Sequence, residues 1–143
     1  MTERGNYEIE QEFKLVRPSV TVKKKVLFVD DELSLLDLYQ EEFTEEGYEV
    51  LLARNGREAV TKSRKESPDI VVMDICMPDK DGIGTLNSMV SMDRRIPVIL
   101  NSAYPKYRND FMTWGAEAYV LKSSDLTELK QKIHEILEKG KKR

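Results

Sequence analysis

Three carboxylates stand directly after two short apolar runs. The run at residues 26–29 is followed by Asp30 and Asp31, and the run Ile70–Met73 is followed by Asp74. Each run is too short for a helix, and we expect strands buried on both faces of a parallel sheet. In such sheets chemistry takes place beyond the carboxyl ends of the strands. The sequence therefore places three carboxylates where they could act together.

Each of these acids taken alone has a simpler explanation, because Asp31 or Asp74 could cap the helix that follows it. At residues 30–32, where Asp31 or Glu32 could be the cap, capping explains one carboxylate well and three in a row less well. Carboxylates a few ångströms apart repel one another, and a divalent cation relieves that repulsion. Oxygen ligands suit Mg²⁺. Asp74 could then attack phosphorus and form an acyl phosphate, while the metal and a lysine offset the charge of the phosphoryl group.

Apolar strands alternate with helical patterns along the whole chain. The strands are predicted at residues 26–29, 48–52, 70–73, 97–100 and 118–121, and the fourth of five helices at about 106–114. This alternation predicts an α/β fold, a doubly wound five-stranded parallel sheet of order 2-1-3-4-5 with five helices. The switch point falls between strands 1 and 3. Ser102 and Lys122 follow the neighbouring strands at the same edge of the sheet.

Composition limits the class of protein. The chain has 143 residues, a net charge of −3, one cysteine and one histidine, so an internal disulfide and a histidine metal cluster are excluded. Both ends are basic and the body is acidic, which argues against nucleic-acid binding. No apolar run has the length of a membrane span, and we expect a cytoplasmic protein. We predict a mobile extension at 1–23, one domain at 24–139 and a basic tail at 140–143.

Four stretches of the sequence together resemble the response-regulator receiver domain, the CheY-like family of two-component signalling. They are residues 26–32, 69–82, 97–103 and 115–122, and the resemblance covers about residues 24–139. It implies a flavodoxin-like fold and transfer of a phosphoryl group to Asp74 from a histidine kinase or a histidine phosphotransfer protein. Such a protein is not an enzyme beyond its own phosphorylation and dephosphorylation. Since no second apolar pattern follows the last helix, we expect a stand-alone receiver.

The resemblance also implies roles for the residues around Asp74. Mg²⁺ would bind Asp31, Asp74 and the backbone carbonyl of Cys76, with Asp30 acting partly through water. Lys122 matches the family's lysine at the phosphoryl group. The family usually has proline after this lysine, often with a cis peptide, whereas Ser123 follows here. A non-proline cis bond costs about 2.5–4 kcal/mol, so the sequence leaves the backbone at this position open.

Two further pairs of residues match positions that control switching and lifetime in the family. Ser102 and Tyr119 match the switch pair, in which a hydroxyl moves toward the phosphoryl group and an aromatic ring follows it inward. Cys76 and Tyr104 flank the path of a hydrolytic water. Neither side chain orients water well, because a thiol is a weak donor and acceptor and the Tyr104 hydroxyl reaches past the phosphorus. We therefore expect slow self-dephosphorylation.

The expected output is a change of protein contacts. A downstream protein would bind the surface of the fourth helix, fifth strand and fifth helix, with no direct contact to nucleic acid or membrane. The chain would be a monomer or a weak, phosphorylation-dependent dimer. Two alternatives remain at this point. One is a Mg²⁺-dependent phosphatase of the haloacid dehalogenase type, which would need an acidic residue at the position of Cys76. The other is a receiver that binds proteins without being phosphorylated, for which the three carboxylates would have no use.

Overall fold

A computed structural model describes residues 22–74, 82–92, 96–104 and 115–141. Its strands are β1 Lys25–Val29, β2 Glu49–Ala53, β3 Ile70–Met73, β4 Val98–Ser102 and β5 Ala118–Leu121. Its helices are α1 Leu33–Glu45, α2 Gly56–Glu66, α3 Gly82–Met92 and α4 Thr127–Lys141. The helix predicted at 106–114 lies outside the described residues, so the structure describes four of the five predicted helices, and α4 is the predicted fifth.

The five strands form one parallel sheet in the order β2-β1-β3-β4-β5, which confirms the predicted topology. The register continues past the strand ends. Asp30 N–H donates to the carbonyl of Ala53 at 3.0 Å, and Asp74 N–H donates to the carbonyl of Val29 at 2.9 Å. The acids that follow β1 and β3 are therefore held side by side at the carboxyl edge of the sheet, where the strand order reverses.

Alternating side chains of the strands build a core on each face of the sheet. Leu27 and Val29 of β1 pack in a cluster with residues of α2 and α3, whereas Val26 and Phe28 pack with residues of α1 and α4. Because both faces are covered, the strands read as continuous apolar runs. The carboxyl edge remains the place where polar side chains can gather.

Two helix boundaries follow the expected local chemistry. Gly47 has φ of +100°, a conformation that glycine adopts without steric cost, and it ends α1 before the chain returns to β2. Asn55 caps α2, its side chain accepting the Glu58 N–H at 2.9 Å. No helix within the described ranges is long and apolar enough to span a membrane.

The buried face of α4 gives a direct test of this packing. Ile133 is fully buried, and Ile133→Ala should lower the free energy of unfolding by about 2–5 kcal/mol because it removes apolar contacts and leaves a cavity. Leu33 is 57% exposed, and Leu33→Ala should change the free energy by no more than about 0.5 kcal/mol. Urea unfolding measures both, and equal effects of the two variants would contradict the assigned faces.

Candidate functional site

Three carboxylates meet at the carboxyl edge of the sheet. Oxygen atoms of Asp30, Asp31 and Asp74 all lie within 4.8 Å of one another. Asp30 and Asp74 are buried, with exposed fractions of 2% and 5%, whereas Asp31 is exposed. The structure thus brings together the acids that the strand ends suggested, and it places two of them where water screens their charge poorly.

Lys122 bridges the two buried acids. Its Nζ lies 2.9 Å from Asp30 Oδ2 and 3.2 Å from Asp74 Oδ2. The lysine follows β5, and its backbone N–H donates to the carbonyl of Ser102 at 2.8 Å, so the end of β4 helps to position it. One ammonium group balances only one of three carboxylates, and the cluster keeps an excess of negative charge.

Burial and charge shift the pKa values within this cluster. Burial raises the pKa of Asp30 above its ordinary value, although the Glu32 N–H at 3.0 Å and the Lys122 ammonium act in the opposite direction. Burial lowers the pKa of Lys122, but hydrogen bonds and charge from Asp30 and Asp74 outweigh it, so the pKa of Lys122 lies above its ordinary value. Lys122 therefore stays positively charged at neutral pH.

The donor set at this edge fits a hard divalent cation. All three candidate side chains offer carboxylate oxygens, the ligands that suit Mg²⁺, and the surplus of negative charge is what such an ion would neutralise. Cys76, whose backbone carbonyl was expected as a further ligand, lies outside the described residues. Its expected effect on phosphoryl lifetime therefore stays a prediction.

Ser102 and Tyr119 both make hydrogen bonds to the backbone of Tyr104. Ser102 is fully buried, and its Oγ accepts the Tyr104 N–H at 3.1 Å. Tyr119 is also buried, and its hydroxyl donates to the Tyr104 carbonyl. The Tyr104 side chain itself is 48% exposed. The resemblance suggested Ser102 and Tyr119 as a pair. Their shared contact with the Tyr104 backbone could not be read from the sequence, because it is made by backbone groups and not by a side chain.

The segment after Lys122 is shaped by hydrogen bonds instead of proline. The structure has no cis peptide among the residues it describes, so the bond between Lys122 and Ser123 is trans. Ser123 Oγ accepts the Asp125 N–H at 3.0 Å, and Asp125 Oδ1 accepts the Thr127 N–H at 2.9 Å at the start of α4. These local bonds favour a turn and a capped helix without a fixed proline ring.

A buried polar pair beside the site was missed by sequence reasoning. Asn101 Nδ2 donates to Tyr39 Oη at 2.8 Å, and both side chains are buried. Tyr39 lies on the apolar face of α1 and Asn101 lies near the end of an otherwise apolar strand, so neither position indicates a polar partner. The amide at the end of an apolar run was the available signal, but its partner lies 62 positions away in the sequence.

The raised pKa of Asp30 predicts how stability depends on pH. The folded protein holds this proton more tightly than the unfolded chain does, so the ionised carboxylate costs stability at neutral pH, and the cost disappears below its ordinary pKa of 3.8. Metal-free Asp30→Asn should therefore unfold with a higher free energy than the parent at pH 7. The difference should shrink as the pH falls toward 4. Urea unfolding at several pH values measures it, and a variant less stable than the parent at pH 7 would contradict this electrostatic account.

Comparisons with known proteins agree with this geometry. The family model of the response regulator receiver domain matches residues 26–134. Sporulation initiation phosphotransferase F of Bacillus subtilis is 33% identical over 118 residues, which cover 81% of this chain and 95% of the relative. The probable transcriptional regulator ycf27 of Pyropia yezoensis is 36% identical over 122 residues, covering 84% of this chain and 50% of the relative. The chain thus spans about half the length of that regulator.

A solved structure shows the same fold with ligands in place. The response regulator TrrA of Thermotoga maritima, in complex with Mg²⁺–BeF, is 39% identical with a TM-score of 0.74, covering 79% of this chain and 98% of TrrA. TrrA in complex with the histidine kinase ThkA has a TM-score of 0.73 at the same identity, with coverage of 80% and 98%. Since the family model spans most of the sequence, this chain belongs to the response regulator receiver domain family of two-component signalling.

Proposed function

We propose that Asp74 accepts a phosphoryl group from a histidine kinase or a histidine phosphotransfer protein in the presence of Mg²⁺. The observation that carries this proposal is the position of Asp74. It is buried at the switch point of the sheet, 3.2 Å from the Lys122 ammonium and within 4.8 Å of two further carboxylates. The kinase-bound form of TrrA supports a kinase as the donor by analogy.

The geometry favours Asp74 over its neighbours as the nucleophile. Asp30 lies closer to Lys122 than Asp74 does, at 2.9 Å, and its Oδ1 accepts the Glu32 N–H, which holds it at the start of the loop before α1. Asp31 is exposed, so an acyl phosphate formed there would be open to water. Asp74 is buried, unlike Asp31, and its contact with Lys122, at 3.2 Å, is longer than that of Asp30. A buried carboxylate next to a cation is suited to hold a transferred phosphoryl group.

These residues can take part in phosphoryl transfer to Asp74. An oxygen of Asp74 forms a bond to phosphorus while the phosphorus–nitrogen bond of the donor's phosphohistidine breaks, and the leaving imidazole takes up a proton from water. Lys122 can donate a hydrogen bond to an oxygen of the transferred group. Asp30, Asp31, Asp74 and the Cys76 carbonyl would hold Mg²⁺, with Asp30 partly through water. When bound, the ion neutralises charge on the phosphoryl oxygens.

We infer that the Ser102 hydroxyl couples a phosphoryl group on Asp74 to Tyr119 through the Tyr104 backbone. In the described conformation Ser102 Oγ accepts the Tyr104 N–H. If Ser102 donates its O–H to a phosphoryl group on Asp74, we expect Oγ to be drawn toward that group, which would change its contact with the Tyr104 backbone and the position of Tyr119. A ligand shifts an equilibrium only by differential contact with two states, and this bond supplies the difference. We infer that a downstream protein reads this change on the surface formed by the predicted helix at 106–114, strand β5 and helix α4.

Several finer assignments belong to the same proposal. We infer that the protein acts by contact and not as an enzyme, in the cytoplasm, as a monomer or weak dimer. The phosphatase alternative is disfavoured because a thiol stands two residues after Asp74 where a second acid would be needed. The receiver boundaries at 24–139 and slow self-dephosphorylation from Cys76 and Tyr104 also stay predictions.

Acetyl phosphate with Mg²⁺ should add one phosphoryl group, located on Asp74 by mass spectrometry. Asp74→Asn should abolish uptake because an amide is not a nucleophile for phosphorus, and chelation of Mg²⁺ should do the same. Asp69 stands at the opposite end of β3, accepting the Lys25 N–H at 2.7 Å, so Asp69→Asn is the matched control and should be phosphorylated normally. A phosphoryl group on another residue, or uptake unaffected by chelation, would refute the proposal.

Beryllofluoride with Mg²⁺ should move the amide chemical shifts of Tyr104, Tyr119 and Lys122 in the parent. Ser102→Ala should still bind the ligand but show smaller shifts at Tyr119, because the hydroxyl that couples the site to the ring is gone. Ser63→Ala is the control, since Ser63 is also buried but its hydroxyl contacts Met89 Sδ of α3 at 3.6 Å. Unchanged Tyr119 shifts in the ligand-bound parent would rule this switch out.

A further inference from the structure

A buried hydrogen bond joins α1 to the end of β4 behind the acidic edge. Asn101 Nδ2 donates to Tyr39 Oη at 2.8 Å, and each side chain is 4% exposed. The neighbours are apolar, since Phe28, Leu36 and Val120 belong to the same cluster as Tyr39. Burying two polar groups there costs desolvation that an apolar pair of similar size would avoid. The pair therefore calls for an explanation beyond core packing.

The Asn101 end of this bond is attached to the part of the site that would contact a phosphoryl group. The next residue is Ser102, and its backbone carbonyl accepts the Lys122 N–H at 2.8 Å. Successive side chains of a strand point to opposite faces. Asn101 thus reaches toward α1, while its neighbour reaches toward Tyr104. Holding Asn101 in place holds the strand end that carries Ser102 and positions Lys122.

The Tyr39 end is attached to the carboxylates that would hold the cation. Tyr39 lies on α1, which begins directly after Asp30, Asp31 and Glu32. The Glu32 carbonyl accepts the N–H groups of Leu35 and Leu36 in the first turn of the helix, and the Glu32 N–H donates to Asp30 Oδ1 at 3.0 Å. The Tyr39 ring stacks on Phe28 with centroids 4.8 Å apart. Burial raises the pKa of Tyr39, the negative charge of Asp30 adds to that rise, and the Lys122 ammonium opposes it.

Apolar contacts hold α1 against the sheet but are not directional, whereas a hydrogen bond fixes both distance and direction. We propose that the Tyr39–Asn101 hydrogen bond is a positioning element of the phosphorylation site. It sets the loop that carries Asp31 against the strand end that carries Ser102, and so raises the affinity of the site for Mg²⁺ together with a phosphoryl group. The proposal rests on the proposed function of Asp74.

The test measures the affinity for beryllofluoride in excess Mg²⁺ by titration calorimetry, together with the thermal midpoint of each variant. Tyr39→Phe keeps the ring and removes the hydroxyl, and the double variant Tyr39→Phe, Asn101→Leu removes both polar groups. Tyr48→Phe is the matched control, because Tyr48 is half-buried next to Phe43 at the amino end of β2, far along the sheet from the site. Asp74→Asn reports whether binding occurs at the proposed residue.

Tyr39→Phe should bind beryllofluoride about three- to thirtyfold more weakly than the parent, and its thermal midpoint should fall because Asn101 is left without its partner. The double variant should regain most of the thermal midpoint, since paired apolar substitution removes the buried unpaired group, yet its affinity should remain low. Tyr48→Phe should bind like the parent. Recovery of stability without recovery of affinity separates positioning from a purely structural role.

Two results would overturn the proposal while leaving the function of Asp74 intact. One is parent-like affinity in Tyr39→Phe, and the other is recovery of affinity together with stability in the double variant. A parent that fails to bind, or that binds as well after Asp74→Asn, would instead refute the proposed function and this inference with it.

Discussion

Lys122 lies between two buried carboxylates, 2.9 Å from Asp30 and 3.2 Å from Asp74, and a third acid, Asp31, stands beside them. Like charges repel more strongly where water is excluded, so this group carries an energetic cost that a single ammonium only partly offsets. Burial raises the pKa of Asp30, and the negative charge of Asp74 adds a smaller contribution. This cluster of carboxylates costs stability in the metal-free protein. Its presence is explained if, as proposed, a cation binds the carboxylates and a phosphoryl group is attached to Asp74.

The fold makes this arrangement possible through strand order. Because β1 and β3 are neighbours while β2 and β4 lie on their outer sides, the acids after β1 and β3 meet at one point of the edge. Helices on both faces bury the central strands β3 and β4 and leave the carboxyl edge for polar groups. The ends of β4 and β5 then bring Ser102 and Lys122 to the same edge. Each feature of the site is thus a consequence of parallel topology and not of local sequence alone.

The sheet order and the carboxylate cluster were predictable from sequence because burial on both faces leaves a continuous apolar run that ends abruptly in an acid. The extent of β4 was not. It was predicted to end at residue 100, whereas it runs through Ser102, because backbone pairing to β5 continues regardless of side-chain polarity. The hydrogen bond between Tyr39 and Asn101 could not be predicted either, because the two residues lie far apart in the sequence. A tyrosine hydroxyl and an asparagine amide can each form hydrogen bonds with many kinds of group, so residue type does not identify the partner.

A crystal structure grown with Mg²⁺ and beryllofluoride would test the central claim most directly. The account predicts beryllium bonded to a carboxylate oxygen of Asp74, Lys122 Nζ in contact with a fluorine, and Mg²⁺ in contact with Asp31 and Asp74. Because Lys122 now bridges Asp30 and Asp74, its movement toward the ligand would be visible as a longer distance to Asp30. Beryllofluoride bound elsewhere, or Mg²⁺ away from these carboxylates, would contradict the account.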